Sequence, residues 1–412
     1  MNESSCRICK SRSLYLVHGF SPIPYGDLYK KNQLEALGIV AEDLSLLRCN
    51  VCGLLQLREL TRLNEQYSEY LYLTSVTNKL VPFYRGVVRN LVSYLNLQDS
   101  DQVLDIGSND GSFLECFSTV TSNLYGVDPS VPACKVAMEK GLEVSNTFFD
   151  SDFSRIYANQ KPTPRLITCN YTIANVPDLD EFFISVRRIM SRQTLFNVIT
   201  GYHLDQFQIG MFDYVNHDHH TYLTLHDFNY LADRNEMKVV YFRKHEHKGG
   251  SVEVGLTLKT SEIQAEDSVS QNLQRESWLE SKSDGLILQM IEQNSRSSSV
   301  IDTITQAYLD DEYQVVGIGA SISSTTLISE FRLAGKISAI YDDDVLKHNT
   351  FAPGTGICVK PLAEISHLKT KTVALILGWQ HSTRLIERLR ELKYEGFILV
   401  PLPLPKIFHM SR

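Results

Sequence analysis

One stretch constrains this chain more than any other: Val103-Leu104-Asp105-Ile106-Gly107-Ser108-Asn109-Asp110-Gly111-Ser112-Phe113-Leu114. β-favouring residues run into a turn of small and polar residues, and an apolar pattern with helical spacing follows. That is the strand–loop–helix grammar of an α/β nucleotide site. Gly107 and Gly111 carry no Cβ, so backbone N–H groups can approach a ligand closely there. The helix expected after the loop would aim its positive N-terminal end at the same spot, which suits a carboxylate or phosphate.

The spacing is Asp-x-Gly-x-Asn-x-Gly, neither the dinucleotide fingerprint nor a phosphate loop ending in Gly-Lys-Ser/Thr. A second strand-like run, Leu124-Tyr125-Gly126-Val127-Asp128, ends in an acid roughly 20 residues past the first glycine. A carboxylate there can accept from both ribose hydroxyls. An ordinary strand-to-helix turn with a capping Asp is the rival reading, and it leaves Asp128 unaccounted for. The loop resembles the S-adenosylmethionine (SAM) site of class I methyltransferases. The resemblance implies that Asp105, Gly107, Asn109 and Gly111 hold the methionine end and Asp128 the ribose.

The first sixty residues carry a different signal. Cys6-Arg7-Ile8-Cys9 and Cys49-Asn50-Val51-Cys52 are two CxxC pairs. Each can place two thiolates on one turn, and together Cys6, Cys9, Cys49 and Cys52 complete a tetrahedral sulfur shell for a structural zinc. A redox dithiol is the competing reading. The long gap between the pairs requires an inserted segment, which holds Pro22 and Pro24. The remaining cysteines, at 116, 134, 169 and 358, lie in apolar surroundings and are expected in the core.

The 412 residues divide on this reading into a zinc-binding domain (1–62), a helical connector (63–98), a methyltransferase domain (99–262), a helical linker (263–299) and a C-terminal Rossmann-like domain (300–412). The expected fold is therefore α/β throughout, with parallel sheets. The last domain opens with Val315-Val316-Gly317-Ile318-Gly319-Ala320-Ser321, a second strand-to-glycine turn. A net charge of −8 with no Lys/Arg cluster argues against a nucleic-acid partner. No apolar run approaches the roughly 18 residues of a membrane span, and the expectation is a cytoplasmic monomer acting on a small molecule, without a membrane partner.

Methylating oxygen or carbon requires removal of a proton, hence a positioned base with a pKa near neutrality. The densest group of such side chains is Asn216-His217-Asp218-His219-His220. Were it extended, His217 and His219 would share one face and Asp218 and His220 the other. A metal site or a solvated loop could also use these histidines.

The order of CxxC pairs, methyltransferase loop, His-acid-His segment, Lys248-Gly249-Gly250-Ser251 and Gly319-Ala320-Ser321 resembles the NDP-hexose C-methyltransferases of deoxysugar biosynthesis. Phe212-Asp213-Tyr214-Val215-Asn216-His217-Asp218-His219 is similar to that family's Phe-Asp-x-x-Tyr-His-Glu-His. Tyr70-Leu71-Tyr72 with Thr74-Ser75 is similar to its tyrosine-rich motif. The resemblance implies a transferase that methylates a keto-sugar nucleotide through an enolate. His219 is then the base, Asp218 the acid beside it and Tyr72 the active-site tyrosine. Two positions depart from the family: Asn216 stands for a tyrosine and Asn175 for a histidine. Asparagine can donate to an oxyanion but is no base near pH 7. These departures keep open an O- or N-methyltransferase acting on another small metabolite.

Overall fold

The computed structural model describes residues 5–59, 73–76, 80–280, 283–368 and 371–411. Its centre is the strand Val103–Ile106, every residue of which is buried. This strand lies inside a seven-stranded sheet with the order Glu143–Asn146, Leu124–Asp128, Val103–Ile106, Leu166–Asn170, Leu195–Gly201, Ser251–Leu258, Met237–His245. Ser251–Leu258 runs antiparallel to both its neighbours, while the first five strands are parallel. The strands read as unbroken apolar runs because helices cover both faces. Strand order reverses on either side of Val103–Ile106, which opens a crevice at the carboxyl ends of the strands. The glycine loop sits at that opening.

Helix Leu80–Leu95 covers one face with Leu80, Tyr84, Val87, Val88, Leu91 and Leu95, a stripe at three- and four-residue intervals. It packs with Phe113, Phe117, Leu195 and Tyr241. The helix expected directly after the glycine loop is not there. Only a 3-10 turn forms, Leu114–Phe117. Ser112, Phe113, Cys116 and Ser118 are all weak helix formers. Asp110 also takes the amide of Ser112 into a side-chain turn at 3.1 Å. No regular helix therefore starts at the loop to aim its dipole at the crevice.

Two further sheets flank this one. The N-terminal sheet runs Leu14–Gly19, Ser45–Cys49, Leu55–Leu57, Thr221–Tyr222. Its last strand comes from the His-rich segment of the middle of the chain, so residues 1–62 do not close their sheet alone. The C-terminal sheet has the order Val359–Pro361, Ile337–Asp342, Gln314–Ile318, Thr372–Ile376, Gly396–Val400, Lys406–Met410, parallel except for its last strand. A 28-residue helix, Ser283–Asp310, precedes it and runs through the boundary expected at residue 300. Its buried stripe includes Asn294, Ser297 and Thr305, polar residues that hide the packing face from a hydropathy reading.

The three sheets share one core. Phe20 of the N-terminal unit stacks on Phe212 at 6.3 Å, and Phe212 stacks on Phe331 of the C-terminal unit at 5.6 Å. The segment 212–222 is thus wedged between all three units. Among the described residues no helix is long and apolar enough to cross a membrane.

Candidate active site

A cavity of about 1290 Å³ lies where the three units meet. Asp105, Gly107, Asn109 and Asp128 line it at one end, and Asn170, Asn175, Asn216, Asp218 and His219 line it further along. Gly319, Ala320, Asp342 and Trp379 of the C-terminal unit form the opposite wall. The crevice predicted from the glycine loop and the His-rich segment therefore belong to one space.

At the loop end, Asp128 is buried at the tip of its strand and accepts the amides of Asn109 at 2.9 Å and Ser130 at 2.8 Å, one on each carboxylate oxygen. A carboxylate oxygen has a further lone pair, so two acceptor positions remain for hydroxyls. Burial pushes the Asp128 pKa up, against the two amides. Asp105 is held by Thr168 Oγ1 at 2.7 Å and Asn170 Nδ2 at 3.4 Å, and burial raises it to about 7. Gly107 has φ +73°, and a Cβ there would meet Thr172 Oγ1 at 2.1 Å. Asn109 Oδ1 accepts the amide of Thr74 at 2.8 Å and Asp110 that of Ser75 at 2.8 Å, which ties the end of the tyrosine-rich motif to the loop. Tyr72 itself lies outside the described residues. Gly111, expected beside the cofactor, faces away: a Cβ there would meet Leu142 Cδ1 at 2.2 Å, inside the protein. Its role in the fold is to let the loop pack on its neighbour.

The His-rich segment is a turn and not an extended strand, so the expected faces are regrouped. Asn216 Oδ1 accepts the amide of Asp218 at 3.0 Å, and the His219 amide donates to the Asn216 carbonyl at 3.2 Å. Asn216, Asp218 and His219 consequently point to the cavity, while His217 and His220 are buried away from it. His217 stacks on Tyr25 at 5.6 Å, and Tyr25 Oη donates to Asp218. His219 Nδ1 lies 2.9 Å from the carbonyl oxygen of Tyr214 and 3.2 Å from Asn216 Nδ2. The shorter contact favours Nδ1–H, which leaves the lone pair on Nε2. Burial lowers the His219 pKa to about 4, so the ring is neutral at pH 7.

Two families match this chain in succession. One, described as "Methyltransferase domain", covers residues 82–241. The other, "C-methyltransferase C-terminal domain", covers residues 246–403. The C-methyltransferase NovU of Streptomyces niveus is 24% identical over 410 residues, covering 98% of this chain and 96% of that protein. The chain is a SAM-dependent methyltransferase, and its C-terminal part is similar to that of C-methyltransferases. Solved structures are similar over part of the chain. The YcgJ protein of Bacillus subtilis covers 43% of this chain and 98% of its own, with 14% identity and a TM-score of 0.32. A SAM-dependent methyltransferase from Clostridium acetobutylicum covers 42% and 90%, with 14% identity and a TM-score of 0.33.

In this methyltransferase the four cysteines Cys6, Cys9, Cys49 and Cys52 offer sulfur atoms that all lie within 4.8 Å of one another, an arrangement that can hold a metal ion. Each CxxC is followed by a residue of positive φ, Lys10 at 61° and Gly53 at 84°, whose amide donates to the first cysteine's carbonyl at 3.0 Å. The two turns are therefore built alike. Arg7, inside the first pair, is buried and reaches the carbonyls of Leu57 at 2.6 Å and His220 at 3.1 Å. The cysteine cluster is thus linked directly to the residue next to His219. Nothing in the CxxC spacing announces that link. Tyr25 and Asp27, from the proline-containing insertion, came without a sequence signal, as did Thr172 on the cavity wall, while Lys248 was marked only as part of a motif and given no role.

Proposed function

We propose that this methyltransferase acts on a keto-deoxysugar nucleotide, removing the proton next to the ketone and methylating that carbon. One observation carries the reading: a neutral histidine with its lone pair on Nε2 shares a cavity with the glycine loop and its ribose-type acid. SAM, when bound at Asp105, Gly107, Asn109 and Asp128, supplies an electrophilic methyl group. Gly107 fits such a ligand, since it lines the cavity and a side chain there would collide with Thr172.

His219 Nε2 takes the C3 proton of a 4-keto sugar, and the C–H electron pair moves into an enolate with its charge on the C4 oxygen. C3 then attacks the methyl carbon as the S–CH3 bond breaks, its electrons staying on sulfur, and the ketone re-forms. By resemblance Asp218 is the acid beside the base. A base whose own pKa is about 4 gains little from proton abstraction unless its acid form is stabilised in the substrate complex. Asn175 and Asn216 serve as hydrogen-bonding groups that orient substrate and turn. Asn216 is already committed to Asp218 and Tyr214, which suits the second duty. Tyr72 is assigned to the enolate oxygen by resemblance. The C-terminal wall, with Ala320 N on Asp342 at 2.6 Å, is where the nucleotide portion would sit.

We assign zinc to the four cysteines as a structural ion. Zn–S bonds of about 2.3 Å set tetrahedral sulfur separations of roughly 3.8 Å, compatible with the observed cluster. Neither CxxC turn leaves an open coordination position, so the ion takes no part in the reaction.

The test is a methyl-transfer screen against 4-keto sugar nucleotides by mass spectrometry, with solvent deuterium exchange at C3 followed in parallel. Exchange and a product heavier by one methyl on carbon are expected. Methylation on oxygen or nitrogen without exchange would favour the alternative that Asn175 and Asn216 keep open.

A further inference from the structure

From the geometry of the cavity we infer that Lys248 is a catalytic residue: its ammonium is the cation that binds the oxygen on which negative charge develops when His219 removes the substrate proton. The inference rests on the enolate reading above and adds a cation to Tyr72, the group assigned there to the same oxygen.

Lys248 lies in the link between strands Met237–His245 and Ser251–Leu258 and lines the same cavity as His219, Asn175 and Asp218. Its backbone is in the left-handed region, φ 53° and ψ 38°, a conformation unfavourable for a side-chain-bearing residue. Gly249 at φ 75° and Gly250 at φ 127° continue the turn. Both are packed closely: a Cβ would meet Met211 Sδ at 2.5 Å and Asp205 Cβ at 2.9 Å respectively. Gln206 Nε2 donates to the Lys248 carbonyl at 3.1 Å, from a helix of the middle unit. The surroundings thus impose the strained turn, and its effect is to hold the lysine over the cavity. Strain of about 1–3 kcal/mol kept in place this way gathers at functional sites.

The lysine's partners decide its role. Two other cations of the cavity wall are satisfied by carboxylates: Lys347 by Asp27 at 2.8 Å and Arg388 by Asp343 at 3.3 Å. Lys248 instead has its Nζ 3.8 Å from the ring centre of Tyr171, and no carboxylate pairs with it among the described residues. Tyr171 follows the central strand Leu166–Asn170, has φ 54°, and its hydroxyl lies 3.0 Å from Ser251 Oγ. A ring face attracts the ammonium yet leaves its N–H groups unsatisfied. The ammonium is also close enough to His219 to oppose protonation of that ring. Burial lowers its own pKa to about 8, so it is still mostly charged at pH 7. A half-dry cation with donors to spare, next to the base, is the arrangement that stabilises an oxyanion formed at the moment of proton transfer. Before that moment it costs the ground state, and enolate formation is what satisfies it.

The experiment compares wild type, Lys248→Met and Lys248→Arg in three measurements: SAM affinity by calorimetry, kcat and KM with a 4-keto sugar nucleotide, and deuterium exchange at C3. Loss of one oxyanion donor lowers kcat by about 10²–10³. The expected result is that loss in kcat and in exchange rate for the methionine variant, with KM and SAM affinity within about threefold and at least tenfold recovery in the arginine variant. Unchanged SAM affinity also reports that the variant is folded. A methionine variant turning over within threefold of wild type would overturn the assignment and leave the enolate reading standing. So would a defect confined to SAM affinity, which would make Lys248 a partner of the cofactor's carboxylate. A wild-type protein that exchanges no proton in any keto sugar sinks both readings together.

Discussion

Arg7→Met tests whether the cysteine cluster and the His219 turn are one mechanical unit. Arg7 is 6% exposed and donates from Nη1 to Leu57 O at 2.6 Å and His220 O at 3.1 Å, with a longer contact from Nη2 to Glu59 O at 3.4 Å. Leu57 N returns a bond to His220 O at 3.0 Å, so one carbonyl joins the N-terminal sheet to the His-rich turn twice. Hydrogen bonds to a charged group contribute about 1.5–3 kcal/mol each. Two such bonds give a gross of about 3–6 kcal/mol, and the hydration recovered by losing a buried cation offsets part of it. Methionine fills the space without the donors, so stability should fall by about 2–3 kcal/mol. The larger effect should be on chemistry. His219 follows the freed segment's geometry, and a shift of about 1 Å at a catalytic group costs up to 10² in rate. Urea unfolding, metal content, kcat and SAM affinity would be measured on the same preparation. We expect kcat to fall ten- to a hundred-fold while SAM affinity holds, because the glycine loop lies on another sheet. Stability lost with kcat unchanged would show that Arg7 supports only the fold. Removal of the metal by a chelator should reproduce the kcat loss in the wild type, since metal binding and folding of such a unit are coupled.

Gly107→Ala should abolish most SAM binding, because its Cβ would sit 2.1 Å from Thr172 Oγ1 at φ +73°, whereas Gly111→Ala should lower stability while the folded fraction binds SAM normally; calorimetry beside thermal unfolding separates the two. Asp128→Ala should weaken SAM by roughly ten- to a hundred-fold through loss of charge-assisted bonds, and an unchanged dissociation constant would move the ribose site elsewhere. His219→Asn should cut turnover by about 10²–10⁴ with SAM affinity kept, and a variant with undiminished C3 exchange would remove His219 as the base. Burial lowers the pKa of His203 and His220 to about 3 and of His219 to about 4, so the unfolded chain binds more protons between about pH 4 and 6.5 and stability should fall on acidification through that window. Asp105 and Asp213, raised to about 7, act oppositely by holding protons in the folded state; His203→Leu, which removes a buried ring with no hydrogen-bond partner, should make the acid slope shallower without loss of stability at pH 7.5.

What could be read in the sequence follows from how local each signal is. The glycine loop and Asp128 are legible because a strand, a turn without side chains and an acid at the next strand's tip are determined within thirty or so residues. The two CxxC turns are legible for the same reason, each being complete in five residues ending at Lys10 or Gly53. The helix expected after Gly111 is only a 3-10 turn, in a stretch where Ser112, Phe113, Cys116 and Ser118 all have weak helix propensity, which apolar periodicity does not record. Asn216 shows the same limit at the active site. Read alone it marks a departure from a family pattern. In the fold its side-chain oxygen takes the amide of Asp218 and turns His219 toward the cavity, so the residue that looked like a loss builds the turn itself. The C-terminal wall and Arg7's reach to His220 join positions more than two hundred residues apart in the second case, and no spacing within either segment encodes that meeting. The placement of His219 is therefore a property of three units packed together. Gly107 and Asp128 variants should act through SAM binding, and Arg7 or cysteine variants should lower stability and turnover with SAM affinity kept. A cysteine variant that lost SAM affinity and turnover to the same degree would mean that the N-terminal unit supports the whole cavity and not only the turn bearing His219.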